Sequence, residues 1–463
     1  MFEASTYMQR RRTLQQQFKS GLLFFLGNEE SPMNYPANTF PFRQDSSFLY
    51  YWGLDVPGLA AIMDIDEDRE MIFGNDLTVA DIVWTGPQPS VTEKSEKTGV
   101  HMTAPLNELE VTIRKAVQQG RKVHFLPPYR AENVLKLERL MGIHSMAVAD
   151  HASRQMTKAV VLQRSKKAKE EIDEIESAID ITHAMQTMAM KLSKPGTYER
   201  EVAGAMEGLA ISMGGEIAFP IIFSIHGETL HNHYHGNVMK AGNIVVNDSG
   251  AASAMHYAGD ITRTFPVSGR FTERQKDIYR IVLHAQEKAL QAIKLGIRFK
   301  DVHSAACRTL AGGLKELGLM KGDMEEAVKE GAHALFFQCG LGHMMGLDVH
   351  DMEDLGEEFI GYDDEVHRSE QFGLCYLRLA KALQPGFVLT VEPGIYFIPE
   401  LIDAWKAEKR FNQFINYELV EQYKDFGGIR VEDDILVVED GYRILGKRIP
   451  KTIDEVEEMS SRH

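Results

Sequence analysis

Short apolar runs punctuate the first third of the chain: GLLFFLG (21–27), GLAAIMDI (58–65), EMIFG (70–74) and KVHFLPP (122–128). Their lengths suit strands, and the polar, helix-like segments between them predict an α/β domain. The pattern changes at Ser165. From there Ile172, Ile175, Ile179, Thr182, Met185, Ala189 and Leu192 recur at three- and four-residue steps, which predicts one long amphipathic helix stopped by Lys194, Pro195 and Gly196. A second helix is expected over about 198–213, opened by Thr197. A third is expected over about 273–295, where Thr272 and Gln275 fit a capping box. The change of pattern puts a domain boundary near residues 155–168, dividing the chain into 1–160 and 161–463.

Beyond the boundary the strand-like stretches carry acids: NIVVNDSG (243–250), YAGDITRTFPV (257–267), FVLTVEPGIYF (387–397) and GIRVEDDILVV (428–438). Side chains alternate faces along a strand, so Asp248 shares a side with Ile244 and Val246 while Asn247 points away. The same count groups Asp260 with Thr262, Glu392 with Val388 and Thr390, and Glu432 with Arg430 and Asp434. Each acid follows residues suited to burial, where a carboxylate is costly unless a cation or metal accompanies it. Taken singly, each is as readily explained by a turn cap or an ion pair. Taken together, Asp248, Asp260, Glu392 and Glu432 call for positive charge, and an imidazole from GLGHMMGLDVHD (340–351) would complete an oxygen and nitrogen shell. His343 and His350 both qualify.

Composition narrows the function classes. The chain has 463 residues, 44% hydrophobic and 25% charged, enough for a large core, and its length favours two domains. A formal net charge of −16 with no basic stripe argues against nucleic acid as a partner. Cys307, Cys339 and Cys375 form no CxxC pair and are expected to be buried free thiols in a reducing, cytoplasmic setting. Neither a signal peptide nor a membrane span is expected. No G-x-S-x-G, HExxH or phosphate-loop motif occurs.

In order along the chain, DSG, YAGDITRTFPVSGRFT, GLGHMMGLDVHD, LTVEPGIY and GIRVEDD resemble the five-ligand signature of the pita-bread metallopeptidases. Within that superfamily the chain resembles the proline-specific branch, the Xaa-Pro aminopeptidases (aminopeptidase P) and the Xaa-Pro dipeptidases (prolidases). The likeness extends into the first domain, where PFRQDSSFLYYWGLDVPG (41–58) and VWTG (83–86) look like the creatinase-like N-terminal domain. The resemblance implies an α/β creatinase-like domain followed by an α+β pita-bread catalytic domain, with a curved, mostly antiparallel sheet wrapped by helices.

It also implies a site. Asp248 would chelate one divalent ion, Asp260 and Glu432 would bridge two, and His343 and Glu392 would complete the shell of the other. Manganese leads as the metal, with cobalt, zinc or iron as alternatives. His350 would face the substrate, and Glu392 would also pass a proton between the attacking water and the leaving nitrogen. Of the four histidines in HGETLHNHYHG (His226, His231, His233 and His235), the HY dipeptide selects His233 as a further catalytic residue. Arg430 would orient the ligating carboxylates, while Tyr396 and Trp84 would either line the substrate pocket or pack in the core.

The long segment 372–427 resembles that of eukaryotic-type prolidase, and Arg378, fourteen residues before Glu392, matches the arginine that grips a dipeptide's terminal carboxylate. PFRQDSSFLYYWG reads at least as much like aminopeptidase P. The implied activity is hydrolysis of Xaa-Pro bonds, in dipeptides first and at the N-terminus of longer peptides as the alternative. A non-catalytic peptide-binding member of the fold is the rival of another class, and the presence of all five ligands weighs against it. A homodimer or homotetramer is implied as well.

Overall fold

The computed structural model describes residues 1–462. It divides into two compact units, Met1–Arg164 with Met352–Phe359, and Ser165–Asp351 with Ile360–His463.

In the first unit the apolar runs become a five-stranded sheet in the order Thr103–Ala104, Arg69–Phe73, Ala60–Asp64, Leu22–Leu26, Val123–His124. The three inner strands pair antiparallel and the two short outer ones parallel. One face buries Leu22, Phe24, Ile62 and Phe73 against Leu109, Ile113 and Leu137, contributed by helices Leu106–Gln118 and Ala131–Met141. Helix Ala4–Gln15 brings in the buried Arg11, whose guanidinium donates to the carbonyls of Tyr51 and Thr98, 3.0 Å each.

The second unit is built from antiparallel pairs. Ile222–Ser224, Ile244–Ser249 and Ile261–Pro266 form one three-stranded sheet, and Val388–Val391, Asp433–Val438 and Gly441–Ile444 another. Gly394–Tyr396 pairs with Gly428–Arg430. Hydrogen bonds stitch the pieces together: the Glu432 amide donates to Thr262 O (3.1 Å) and the Thr264 hydroxyl to Arg430 O (2.9 Å). Helices Lys169–Leu192, Glu199–Ser212, Glu273–Ala292 and Phe299–Glu316 pack on this framework. Asn247, on the face away from Asp248, donates to Gln186 of the first of these helices at 2.9 Å. The capping box at Thr272 and Gln275 is formed.

One expectation is corrected. The long helix does not begin at Ser165. Helix Arg154–Ser165 ends there, Lys166–Ala168 is extended with the Lys167 amide bonded to Gly386 O (2.8 Å), and the helix restarts at Lys169. No helix among the described residues is long and apolar enough to cross a membrane.

Candidate active site

Asp248 lies near the end of strand Ile244–Ser249, directly across from Thr262. Asp260 precedes strand Ile261–Pro266, Glu392 follows Val388–Val391, and Glu432 occupies the short gap between Gly428–Arg430 and Asp433–Val438. The chain is freed from regular sheet alternation at these ends, which lets carboxylates from different strands turn toward one place. His343 arrives on an irregular segment that lies against Val388–Val391. Its amide donates to Thr390 Oγ1 (3.2 Å) and its carbonyl accepts from the Thr390 amide (3.1 Å). Gly342 allows that approach, because a Cβ there would sit 2.0 Å from Thr390 O.

Asp260, His343 and Glu432 each present a ligand atom within 4.8 Å of the others. His343 Nδ1 donates to Met344 O at 3.1 Å, which directs the basic Nε2 to Asp260 Oδ2 (3.4 Å) and Glu392 Oε1 (3.7 Å). Asp260 Oδ1, Glu432 Oε1 and Asp434 Oδ1 are buried without a hydrogen-bond partner. Buried carboxylate oxygens are rarely left this way. Burial pushes the Asp260 and Glu432 carboxyls well above the ordinary range, and the negative charge of the neighbouring acids adds to it. Burial also raises Glu392, against the opposing pull of His343 and Arg430. An oxygen-rich, anionic pocket with orphaned lone pairs fits divalent cations.

Arg430 holds this arrangement in place. Its guanidinium pairs with the Asp248 carboxylate, Nε donates to Thr262 Oγ1 (3.1 Å) and Nη1 to the Tyr396 hydroxyl (2.8 Å). The Thr262 hydroxyl donates in turn to Glu432 Oε2 at 2.6 Å. Burial alone would lower the Arg430 pKa, but Tyr396, Asp248, Glu392 and Glu432 drive it well above the usual value and keep it a cation.

These side chains open on a cavity of about 870 Å³. His350, Arg378, His231 and His233 also face it. The His350 ring lies 4.0 Å, centroid to centroid, from that of His343. Arg378 lines the wall, and Gly361 packs on its backbone so closely that a Cβ there would meet Arg378 O at 1.7 Å. His226 pairs with Glu228 (3.1 Å) and His235 contacts Ile221 O (3.0 Å), so neither faces the cavity.

The HY dipeptide selects His233, yet His231 lines the cavity as well. Its pKa is lowered by burial and then by Arg430, with Arg378 and His350 adding and Asp248 opposing, which sets it among the charged groups of the site. Nothing in a run of alternating histidines singles it out. Three other expectations change. Of the two readings of Tyr396, the structure bears out core packing and not pocket lining. Tyr396 is 0% exposed and sits behind the cavity, accepting from Arg430. Trp84 is neither core nor cavity lining, being 87% exposed on helix Val79–Thr85. Of the three thiols only Cys307 is buried; Cys339 lines the cavity and Cys375 is half-buried.

Residues 173–439 match metallopeptidase family M24, and residues 7–124 match the aminopeptidase P N-terminal domain. A probable Xaa-Pro aminopeptidase of Aspergillus fumigatus is 30% identical over 434 residues, covering 91% of this chain and 88% of that protein. The Xaa-Pro dipeptidase of Homo sapiens is 29% identical over 453 residues, covering 95% and 88%. Among solved structures, a glutamate-to-alanine variant of Escherichia coli aminopeptidase P in complex with substrate superposes with a TM-score of 0.81 at 28% identity, over 99% of this chain and 98% of that one. The zinc-substituted E. coli enzyme in complex with product gives 0.80 at 28% identity, with the same coverage.

Proposed function

Because the chain belongs to metallopeptidase family M24 and is a proline-specific metallo-exopeptidase, we propose that Asp248, Asp260, His343, Glu392 and Glu432 hold two divalent ions, manganese first, and that the preferred substrates are Xaa-Pro dipeptides. The observation that carries this reading is the convergence of these side chains on one cavity with carboxylate oxygens left unpartnered. When bound, the cations supply a Lewis acid for the scissile carbonyl and lower the pKa of the attacking water.

The chain's own residues do the rest. An Xaa-Pro bond has no amide hydrogen, so a site that holds substrate by its charged ends suits it better than one relying on main-chain hydrogen bonds. Arg378, which lines the cavity, takes the terminal carboxylate of a dipeptide through its planar fork on this reading. His350 donates to the carbonyl oxygen as negative charge develops there. Glu392 takes a proton from water and returns it to the departing proline nitrogen. His233, or His231 beside it on the same cavity wall, is the further catalytic histidine. Arg430 keeps Asp248 and, through Thr262, Glu432 oriented. A cytoplasmic homodimer or homotetramer completes the proposal, supported by the family resemblance.

Removal of the N-terminal residue from longer Xaa-Pro peptides is the second reading, favoured by the likeness to E. coli aminopeptidase P along nearly the whole chain. Turnover of Ala-Pro against Ala-Pro-Ala in added manganese, for the parent and Arg378→Ala, separates the two. Dipeptide preference that vanishes in the variant supports the first, and tripeptide preference in the parent refutes it.

A further inference from the structure

A second group of metal-ligating side chains lies apart from the carboxylates. His303 and Cys307 are one turn apart on the inner face of helix Phe299–Glu316, and His333 projects from the short helical turn Ala332–Leu335. A ring nitrogen from each histidine and the Cys307 sulfur all lie within 4.8 Å of one another. Cys307 Sγ and His303 Nε2 are 3.4 Å apart. The three residues are 1–6% exposed. Nδ1 of both His303 and His333 is buried without a hydrogen-bond partner.

Two imidazoles with orphaned nitrogens are an expensive way to fill a core. An unsatisfied buried polar group is destabilising, and an apolar residue of similar size would carry no such penalty. Burial favours neutral imidazoles, the form that ligates a metal, and pushes the Cys307 thiol up, so its thiolate would form only together with the ion. The donor set is nitrogen and sulfur, the opposite of the oxygen-rich centre in the cavity, so the two sites discriminate between ions by chemistry.

We propose that His303, Cys307 and His333 form a separate zinc site that braces the chain segment leading from His333 to His343. Zinc enters as the Cys307 thiol gives up its proton to solvent, and the bound ion is held by one thiolate and two neutral imidazoles. The segment it anchors is functional. Phe336 O accepts from the Tyr396 amide (2.8 Å), Gln338 and Cys339 line the catalytic cavity, and His343 follows. This inference stands independently of the substrate reading.

The full chain, stripped of metal and then saturated with manganese to fill the carboxylate centre, is titrated with Co2+ as a spectroscopic stand-in for zinc. The expected result is a near-ultraviolet thiolate-to-cobalt charge-transfer band that saturates near one equivalent and is displaced by zinc. Cys307→Ser should abolish it, His333→Gln should weaken cobalt binding at least about tenfold, and Cys339→Ser should leave it in place. Absence of the band in the parent, persistence in Cys307→Ser, or loss in Cys339→Ser overturns the proposal. The parent titration is decisive even where a variant fails to fold. Peptidase activity of manganese-loaded Cys307→Ser, measured in parallel, keeps a failure of this site distinct from a failure of the catalytic one.

Discussion

Lys167 and Asp351 form a buried ion pair, Nζ to Oδ2 2.8 Å, with each side chain 1% exposed. Asp351 directly follows His350, and Gly346 packs so closely that a Cβ there would meet Asp351 Oδ2 at 2.6 Å. The pair therefore fixes the loop that carries His350 to the cavity. Removing one partner leaves a buried charge, so Lys167→Met should cost about 3–5 kcal/mol of unfolding free energy. Displacement of His350 should also lower kcat on the order of tenfold to a hundredfold. Urea denaturation and steady-state kinetics check both, and Lys167→Arg should recover part of each loss.

Arg430 pairs with Asp248 and, through Thr262, steadies Glu432. Outer residues of this kind contribute about 10–100-fold to metal affinity. Arg430→Met should show that loss in a manganese titration of chelator-treated protein, and excess manganese should return only part of the activity.

The orphaned oxygens of Asp260 and Glu432 predict strong coupling between metal and fold. Manganese at a hundred times its dissociation constant should add about 2.7 kcal/mol to the unfolding free energy of the parent. Asp260→Asn should show little of that gain, because the same substitution removes a ligand and a repelled charge. The thermal midpoint with and without metal reads it out.

In the first unit, Arg121 pairs with Asp64, whose side chain is 1% exposed. Burial by itself would raise the Asp64 carboxyl, but hydrogen bonds from Arg121 and the Glu67 amide and the nearby arginine charges outweigh it and hold the pKa below the usual carboxylate range. A depressed carboxyl contributes stability above its unfolded pKa and loses it as pH falls through the folded value. Asp64→Asn should therefore cost about 1–3 kcal/mol near neutral pH, and the gap to the parent should close at acid pH in urea titrations.

The strands and amphipathic helices were legible because periodicity reports burial directly. Ile244–Ser249 and Glu273–Ala292 fall where the pattern puts them. Less was legible where a local break interrupts a continuous pattern, as at Lys166–Ala168, since a backbone bond to Gly386 decides it and no periodicity encodes that. The four acids could be grouped from their strand positions, but the choice of His343 over His350 and each acid's part in the set came only from resemblance, because their meeting place depends on strand ends far apart in sequence. Tyr396 could not be assigned between pocket and core, and Trp84 falls in neither, because an aromatic side chain near a motif reads alike whether it is buried, solvated or lining a cavity. His303, Cys307 and His333 were invisible, since two short-range positions and one thirty residues away form no recognisable spacing.

The central claim is that five side chains from separate strands and one loop assemble a metal-dependent centre that cleaves Xaa-Pro bonds. Its most direct test is cleavage of Ala-Pro and Ala-Pro-Ala by chelator-stripped protein before and after manganese is restored, beside Glu432→Gln. Without metal there should be no turnover, manganese should restore it in the parent, and the variant should lose at least about a hundredfold. Metal-loaded parent that leaves both peptides intact, or a variant that cleaves as fast as the parent, would contradict the claim.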